Sequence, residues 1–166
     1  MISLLPSIFV LGLAALVAML LAQNRHSPPA KAAERTTAAR ALLIATVVQG
    51  IHFGEEAATG FHESLPDLFG LPAISFPLFL VFNLVWLGIW FASVPGLRSA
   101  RPVAFFAAWF LAIAGLINGF AHPVMAISAK EYFPGLVSSP FIFGASVWLW
   151  TTLRKSTLSG SNTHIR

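Results

Sequence analysis

Long apolar segments most constrain what this chain can fold into. A helix needs about 20 consecutive apolar residues to cross the hydrocarbon core of a bilayer. Five segments approach that length, and they cover about 2–22, 41–60, 73–93, 102–122 and 135–153. Hydrophobic residues make up 57% of the 166 residues and charged residues 10%, whereas soluble domains carry about 25% charged residues. We therefore predict an all-α, polytopic transmembrane bundle of about five helices.

The distribution of basic residues predicts the topology of a single membrane domain over 1–166, which ends in a polar tail at 156–166. All lysines and arginines except Lys130 fall in alternate connections or in the tail. Because connections rich in lysine and arginine stay in the cytoplasm, we predict an outside N-terminus and a cytoplasmic C-terminus. The start of the chain lacks the positively charged region of a signal peptide, so we expect the first helix to be retained.

The composition also excludes several function classes. The chain has no cysteine, which excludes disulfides, thiolate metal ligands and cysteine nucleophiles. Its basic residues are scattered between apolar segments rather than clustered in a patch. We interpret them as topology signals and expect no nucleic-acid partner.

The sequence HFGEE at 52–56 lies within the second apolar segment. A single charged side chain at the centre of a membrane helix costs about 2.5 kcal/mol or more, so ionisable residues there indicate a functional site. At about 100° per residue, His52, Glu55 and Glu56 share one arc of the helix. His52 and Glu56 are an i,i+4 pair, whose side chains can meet or share a ligand.

Polar residues of the fourth segment are predicted to lie at a matching depth. With a rise of about 1.5 Å per residue, Asn118 lies level with Glu56, and His122 lies about one turn further out. Both positions fall in the outer leaflet under the predicted topology. We therefore expect the second and fourth helices to form one site.

Glycine and proline near these residues lead to two further expectations. Gly115 and Gly119 share an arc with Asn118 and His122, which we interpret as room for a cavity beside the polar groups. Pro123 removes a backbone donor and disfavours helical conformation at the residue before it. The fourth helix is therefore expected to end or kink at His122.

Three motifs occur in order at 52–56 (HFGEE), 118–122 (NGFAH) and 132–135 (YFPG). Their order and spacing resemble the signature motifs of the HXXEE-motif family of small bacterial integral membrane proteins, over about 40–153. The resemblance implies a multi-pass protein of the bacterial cytoplasmic (inner) membrane. It also implies that the three motifs belong to one site. It implies no reaction, because the biochemical function of that family is unknown.

These residues divide into two sets of candidates. Nitrogen and oxygen ligands on two helices suit a divalent Zn or Fe ion, and no other cofactor is expected. The candidate metal ligands are His52, Glu56 and His122, with His62 as a further candidate. The candidate catalytic residues are Glu55, Glu56, Asn118 and Tyr132.

Three functions are compatible with such a site. The first is a membrane-embedded enzyme that uses a metal to hydrolyse or oxidise a lipid-like substrate, although the chain has no HExxH motif. The second is a metal-free acid/base isomerase or cyclase of an isoprenoid or lipid. The third is a proton- or cation-coupled transporter or a binder of small ligands. In each case we expect a lipid or another apolar small molecule as partner, and a transporter would require a homodimer.

Overall fold

The computed structural model describes residues 5–159. Within them the chain forms six α-helices and one short antiparallel pair of strands, β1 (Arg25–His26) with β2 (Leu158–Ser159). The helices are α1 (Leu5–Asn24), α2 (Ala32–Thr59), α3 (Phe61–Asp67), α4 (Phe76–Arg98), α5 (Pro102–Ala129) and α6 (Ser139–Ser156). Residues 160–166 of the predicted polar tail lie outside the described residues.

The all-α membrane bundle is confirmed. In the described part of the chain, four helical segments are long and apolar enough to cross a membrane: Ser7–Asn24, Pro29–Thr59, Phe76–Arg98 and Pro102–Ala129. The more polar α6 carries several serines and threonines, and Arg154 and Lys155 lie in its last turn. A fifth crossing by α6 and the orientation of the termini stay predictions.

Helix α6 packs against both α2 and α5. Helix α4 packs against α2 and α5, and α1 lies on the outside of α5. The inner core is tight, since Leu42, Trp109 and Leu149 are all fully buried. Large apolar side chains such as Phe9 and Val103 are exposed on the outer faces of the helices, as expected of surfaces that contact lipid.

Two glycines on α5 allow close packing against α6. A Cβ on Gly115 would overlap the Ser146 hydroxyl, and a Cβ on Gly119 would lie 2.9 Å from Phe143 Cγ. Side chains of α6 therefore occupy the space that we expected to be a cavity, and that expectation was wrong. Small residues allow this approach because attraction between membrane helices depends on packing rather than on exclusion of water.

Helix α5 does not end at His122, so this half of the expectation of an end or a kink was wrong, while the kink stays a prediction. It continues through Pro123 to Ala129, and Lys130 follows in the left-handed conformation with φ 57°. Proline is tolerated inside membrane helices because neighbouring helices and local adjustments satisfy the carbonyl that it leaves free.

Basic residues gather at the end of the bundle opposite to the polar motifs. The Arg25 guanidinium donates to Thr157 Oγ1 at 2.7 Å, just after α6 ends, and to the Arg154 carbonyl at 3.2 Å, in the last turn of α6. The Arg35 guanidinium donates to the Arg98 carbonyl at 3.3 Å, at the last residue of α4. Both cations therefore lie at helix C-termini, where the helix dipole favours positive charge.

We expect Gly119→Ala to destabilise the bundle by about 1–3 kcal/mol, because Phe143 must move away from the added methyl group. Gly144→Ala is the matched control, since a Cβ at Gly144 meets no atom within 4 Å. Thermal unfolding in detergent measures both variants. Equal melting temperatures for the two variants would contradict the close packing of α5 on α6.

Candidate metal site

Helices α2 and α5 bring two histidines and a carboxylate together inside the bundle. His52 and Glu56 lie one turn apart on α2, and His122 lies on α5. Glu56 Oε1 lies 3.5 Å from His52 Nε2 and 3.3 Å from His122 Nε2. All three side chains are buried, with at most 5% of any residue exposed. The main predicted ligands therefore converge, with one ligand atom from each within 4.8 Å of the others.

The turn that precedes α6 sets the tautomer of His122. His122 Nδ1 lies 2.6 Å from the carbonyl oxygen of Pro134. Because a carbonyl oxygen can only accept a hydrogen bond, Nδ1 carries the proton and donates it. In the neutral ring Nε2 then has a free lone pair, and this atom is the one that faces Glu56.

A serine hydroxyl gives His52 the same tautomer. The Ser138 hydroxyl donates to Glu55 Oε2 through a short hydrogen bond. Its only proton is thereby used, so the hydroxyl oxygen accepts the hydrogen bond from His52 Nδ1 at 2.7 Å. His52 Nε2 then also presents a free lone pair toward Glu56. Both tautomers are assigned from these hydrogen-bond partners.

With Glu56 ionised, three groups that accept but do not donate hydrogen bonds thus face one another in a buried space. Among the described residues, neither His52 Nε2 nor His122 Nε2 has a hydrogen-bond partner. A buried polar atom without a partner costs about 1–3 kcal/mol. The carboxylate of Glu56 adds a negative charge to the two lone pairs. A cation bound between the three groups removes this cost.

The ligand types and their spacing suit a divalent metal ion. Imidazole nitrogen and carboxylate oxygen both bind Zn²⁺ and Fe²⁺. Two such ligands, each about 2.1 Å from a tetrahedral ion, lie about 3.4 Å apart. The distances from Glu56 Oε1 to the two Nε2 atoms are 3.5 and 3.3 Å. The group could therefore hold a metal ion, and in the described part of the chain no fourth His, Asp or Glu joins it.

Gly135 allows the turn to lie directly on the two imidazole rings. It adopts φ +88°, and a Cβ there would lie 2.6 Å from His122 Nδ1 and 3.0 Å from His52 Cε1. The two rings meet edge to face with centroids 4.7 Å apart. Phe61 and Phe133 also lie beside His122, at centroid distances of 5.4 and 6.1 Å. These apolar neighbours lower the local dielectric constant and strengthen every electrostatic interaction in the site.

Glu55 lies beside this group but is not part of it. Its Oε1 accepts hydrogen bonds from the Tyr132 hydroxyl at 2.6 Å and from the Val137 backbone N–H at 2.9 Å. Its Oε2 accepts from the Ser138 backbone N–H at 2.7 Å and from the Ser138 hydroxyl. The carboxylate therefore fastens the turn of residues 132–138 to α2. A direct catalytic role for Glu55 stays a prediction.

Tyr132 lies on the outer side of Glu55 and is 48% exposed. Partial burial raises the pKa of Tyr132, and the hydrogen bond that its hydroxyl donates to the Glu55 carboxylate raises it further. The phenol therefore stays protonated at neutral pH and acts as a donor. Its predicted catalytic role stays a prediction.

Asn118 and His62 are not joined to the three-residue group by hydrogen bonds within the described residues. Asn118 is half-buried, and no hydrogen bond within residues 5–159 joins it to the group. The His62 ring stacks on Phe79 with centroids 6.0 Å apart, and its Nε2 lies 3.5 Å from Glu63 Oε1. The structure thus does not place His62 in the three-residue group, and the predicted catalytic role of Asn118 stays a prediction.

Two residues that shape the site were missed in the sequence. Ser138 precedes a helix that has proline at its start, which is typical of an N-cap serine, but its hydroxyl makes no capping bond. Gly135 was predicted only as a member of the YFPG motif, without its contact with the two imidazole rings. The sequence signal in both cases is local, whereas their contacts with His52 and His122 depend on how α6 docks between α2 and α5.

No family model matches the chain, and searches of the curated proteins and of the solved structures found no significant match either. The resemblance to the HXXEE-motif family stays a prediction. The functional argument therefore depends on the geometry of this chain.

We expect Gly135→Ala to destabilise the protein more than Gly70→Ala does. Both glycines have positive φ, so both variants carry a backbone cost of about 1–2 kcal/mol. Only at Gly135 does the added methyl group also overlap the two imidazole rings, which adds about 1–3 kcal/mol. Thermal unfolding of the two variants measures the difference. Equal destabilisation would show that the turn does not rest on the rings.

Proposed function

We propose that this chain is a metal-dependent membrane enzyme that acts on a lipid-like substrate. In this proposal His52, Glu56 and His122 bind one divalent ion. The observation that carries the proposal is that two buried Nε2 atoms without a hydrogen-bond partner lie 3.5 and 3.3 Å from one carboxylate oxygen. Buried polar groups are generally hydrogen-bonded, so two imidazole nitrogens without a partner beside one carboxylate favour a bound cation.

The number of ligands supports catalysis over a structural role for the ion. Structural zinc sites use four protein ligands, whereas catalytic sites use three and keep one position open. Two histidines and one carboxylate are also the ligands of non-haem iron oxygenases. A bound Zn²⁺ would supply an activated water for hydrolysis, and a bound Fe²⁺ would supply oxidation by O₂.

The residues around the group have separate tasks in this proposal. Pro134 and Ser138 accept the Nδ1 protons and so direct both Nε2 atoms at the ion. Phe61 and Phe133 keep bulk water away from the histidines. The location of the site inside an apolar bundle favours a substrate that arrives from the lipid phase.

Elemental analysis of the purified protein tests the metal. We expect about one equivalent of Zn or Fe per chain in the wild type. We expect loss of most of this metal in His52→Ala, Glu56→Gln and His122→Ala, because each variant removes one of three ligands. The identity of the bound metal then selects between hydrolysis and oxidation.

The matched control is His62→Ala, which removes a histidine from α3, outside the group. It is expected to retain the metal. The proposal is wrong if wild-type protein, expressed with ample Zn and Fe, contains neither metal and is not stabilised by either. It is also wrong if the ligand variants retain as much metal as His62→Ala.

A proton is the alternative to a metal at the same position. A protonated Glu56 can donate to one of the two Nε2 atoms, which lie at 3.5 and 3.3 Å from its oxygen. Such a group suits acid/base isomerisation or cyclisation of an isoprenoid or lipid. This alternative is favoured if the protein binds no metal and incorporates deuterium from solvent into an isoprenoid. Absence of deuterium in the recovered isoprenoid would exclude it.

A further inference from the structure

We infer that Glu55 acts through Ser138 as a positioning residue, which keeps His52 in the tautomer whose Nε2 can bind a metal. The importance of this tautomer rests on the proposed metal site. The hydrogen-bond chain itself runs from Glu55 through the Ser138 hydroxyl to His52 Nδ1. It assigns to Glu55 a task distinct from those of a ligand or a general base.

The hydrogen-bond chain from Glu55 to His52 has a direction because the Ser138 hydroxyl has a single proton. Ionised carboxylates accept hydrogen bonds and do not donate them, so the Ser138 proton points to Glu55. The Ser138 oxygen then offers only a lone pair to the imidazole, at 2.7 Å from His52 Nδ1. A carboxylate thus dictates the position of a proton on a ring with which it has no direct contact.

The carboxylate of Glu55 is held in the orientation in which it accepts the hydrogen bond from the Ser138 hydroxyl. The Val137 and Ser138 backbone N–H groups donate to separate oxygens of its carboxylate, at 2.9 and 2.7 Å. The Tyr132 hydroxyl donates as well, at 2.6 Å. A carboxylate with donors on both oxygens has little freedom to rotate, and it cannot leave to bind a metal without losing these bonds.

Loss of the Ser138 hydroxyl should move the His52 proton. In Ser138→Ala the proton on Nδ1 would face a methyl group and have no acceptor there. The proton on Nε2 would instead face Glu56 Oε1, which lies 3.5 Å away. The ring is therefore expected to change to the Nε2–H tautomer, which has no lone pair for a metal on that nitrogen.

His122 provides an internal reference. Its Nδ1 donates to the Pro134 carbonyl at 2.6 Å, and neither Glu55 nor Ser138 takes part in that bond. Its tautomer should therefore stay the same in a variant that alters only the hydrogen-bond chain of His52.

The experiment is ¹⁵N NMR of the full chain, labelled at histidine and stripped of metal in detergent micelles. It is performed at mildly alkaline pH, where a typical histidine ring is neutral. Protonated and bare ring nitrogens have well-separated shifts, and His52→Gln and His122→Gln assign the two residues. We expect Nδ1–H at both histidines in the wild type. Ser138→Ala should convert His52 alone to Nε2–H, and Glu55→Gln should give His52 a mixture of tautomers.

Two variants separate positioning from a general effect on folding. Ser138→Thr keeps the hydroxyl and should keep the wild-type tautomer. Ser139→Ala removes the neighbouring buried hydroxyl, which donates to the Leu136 carbonyl at 2.9 Å, and should also leave His52 unchanged. The inference is overturned if Ser138→Ala leaves the His52 tautomer unchanged, or if Ser139→Ala changes it equally.

A second readout connects the tautomer to the metal. Titration with Co²⁺ as a spectroscopic probe should show an affinity about 10–100-fold lower in Ser138→Ala than in Ser139→Ala. If the wild type binds no Co²⁺ or other metal, the proposed function fails, and the NMR result still decides the role of Glu55. If Co²⁺ binds equally to both variants, the link from Ser138 to the metal is wrong while the proposed metal site stands.

Discussion

The placement of two protons determines what the centre of this bundle can do. The Nδ1 atoms of His52 and His122 donate to Ser138 and to the Pro134 carbonyl, so both protons point away from Glu56. If either proton moved to Nε2, it could hydrogen-bond the carboxylate, and the group would become an ordinary buried network. Both acceptors belong to the turn of residues 132–138. That turn therefore decides whether the three side chains act as ligands.

The packing of the bundle explains how it tolerates the free-energy cost of burying His52, Glu56 and His122 together. Gly119 lets α5 approach α6 closely. Because α6 also packs against α2, the turn of residues 132–138 that precedes α6 lies beside the end of α2. Glu55 then fastens this turn by accepting two backbone N–H bonds at the start of α6. The negative charge of Glu55 is thereby stabilised by hydrogen bonds, whereas the described residues donate no hydrogen bond to the carboxylate of Glu56.

The sequence predicted those features that depend on helical periodicity. The i,i+4 spacing of His52 and Glu56, together with the depth of His122 on another helix, was sufficient to predict their convergence. Whether α5 ends or continues at Pro123 was left open, because a local rule about proline does not include the membrane and packing context that lets the helix continue.

The role of Ser138 could not be predicted from the sequence, for a different physical reason. Its contact with His52 joins residues 86 positions apart, and it exists only because α6 docks beside α2. The Pro134 carbonyl is a backbone group, so its contact with His122 has no signature in residue type. Contacts of this kind follow from the tertiary arrangement, whereas the ligands themselves followed from spacing along single helices.

The supporting contacts of Glu55 bear on whether a metal here would be structural or reactive. Glu55 is the carboxylate next to the group in sequence and would be the obvious fourth ligand. To reach an ion it would have to give up the N–H groups of Val137 and Ser138 and release the hydroxyl that orients His52. Recruiting Glu55 as a ligand would therefore weaken the binding of His52. An ion held by the other three residues keeps a coordination position that a water or a substrate can occupy, which favours catalysis over a purely structural ion.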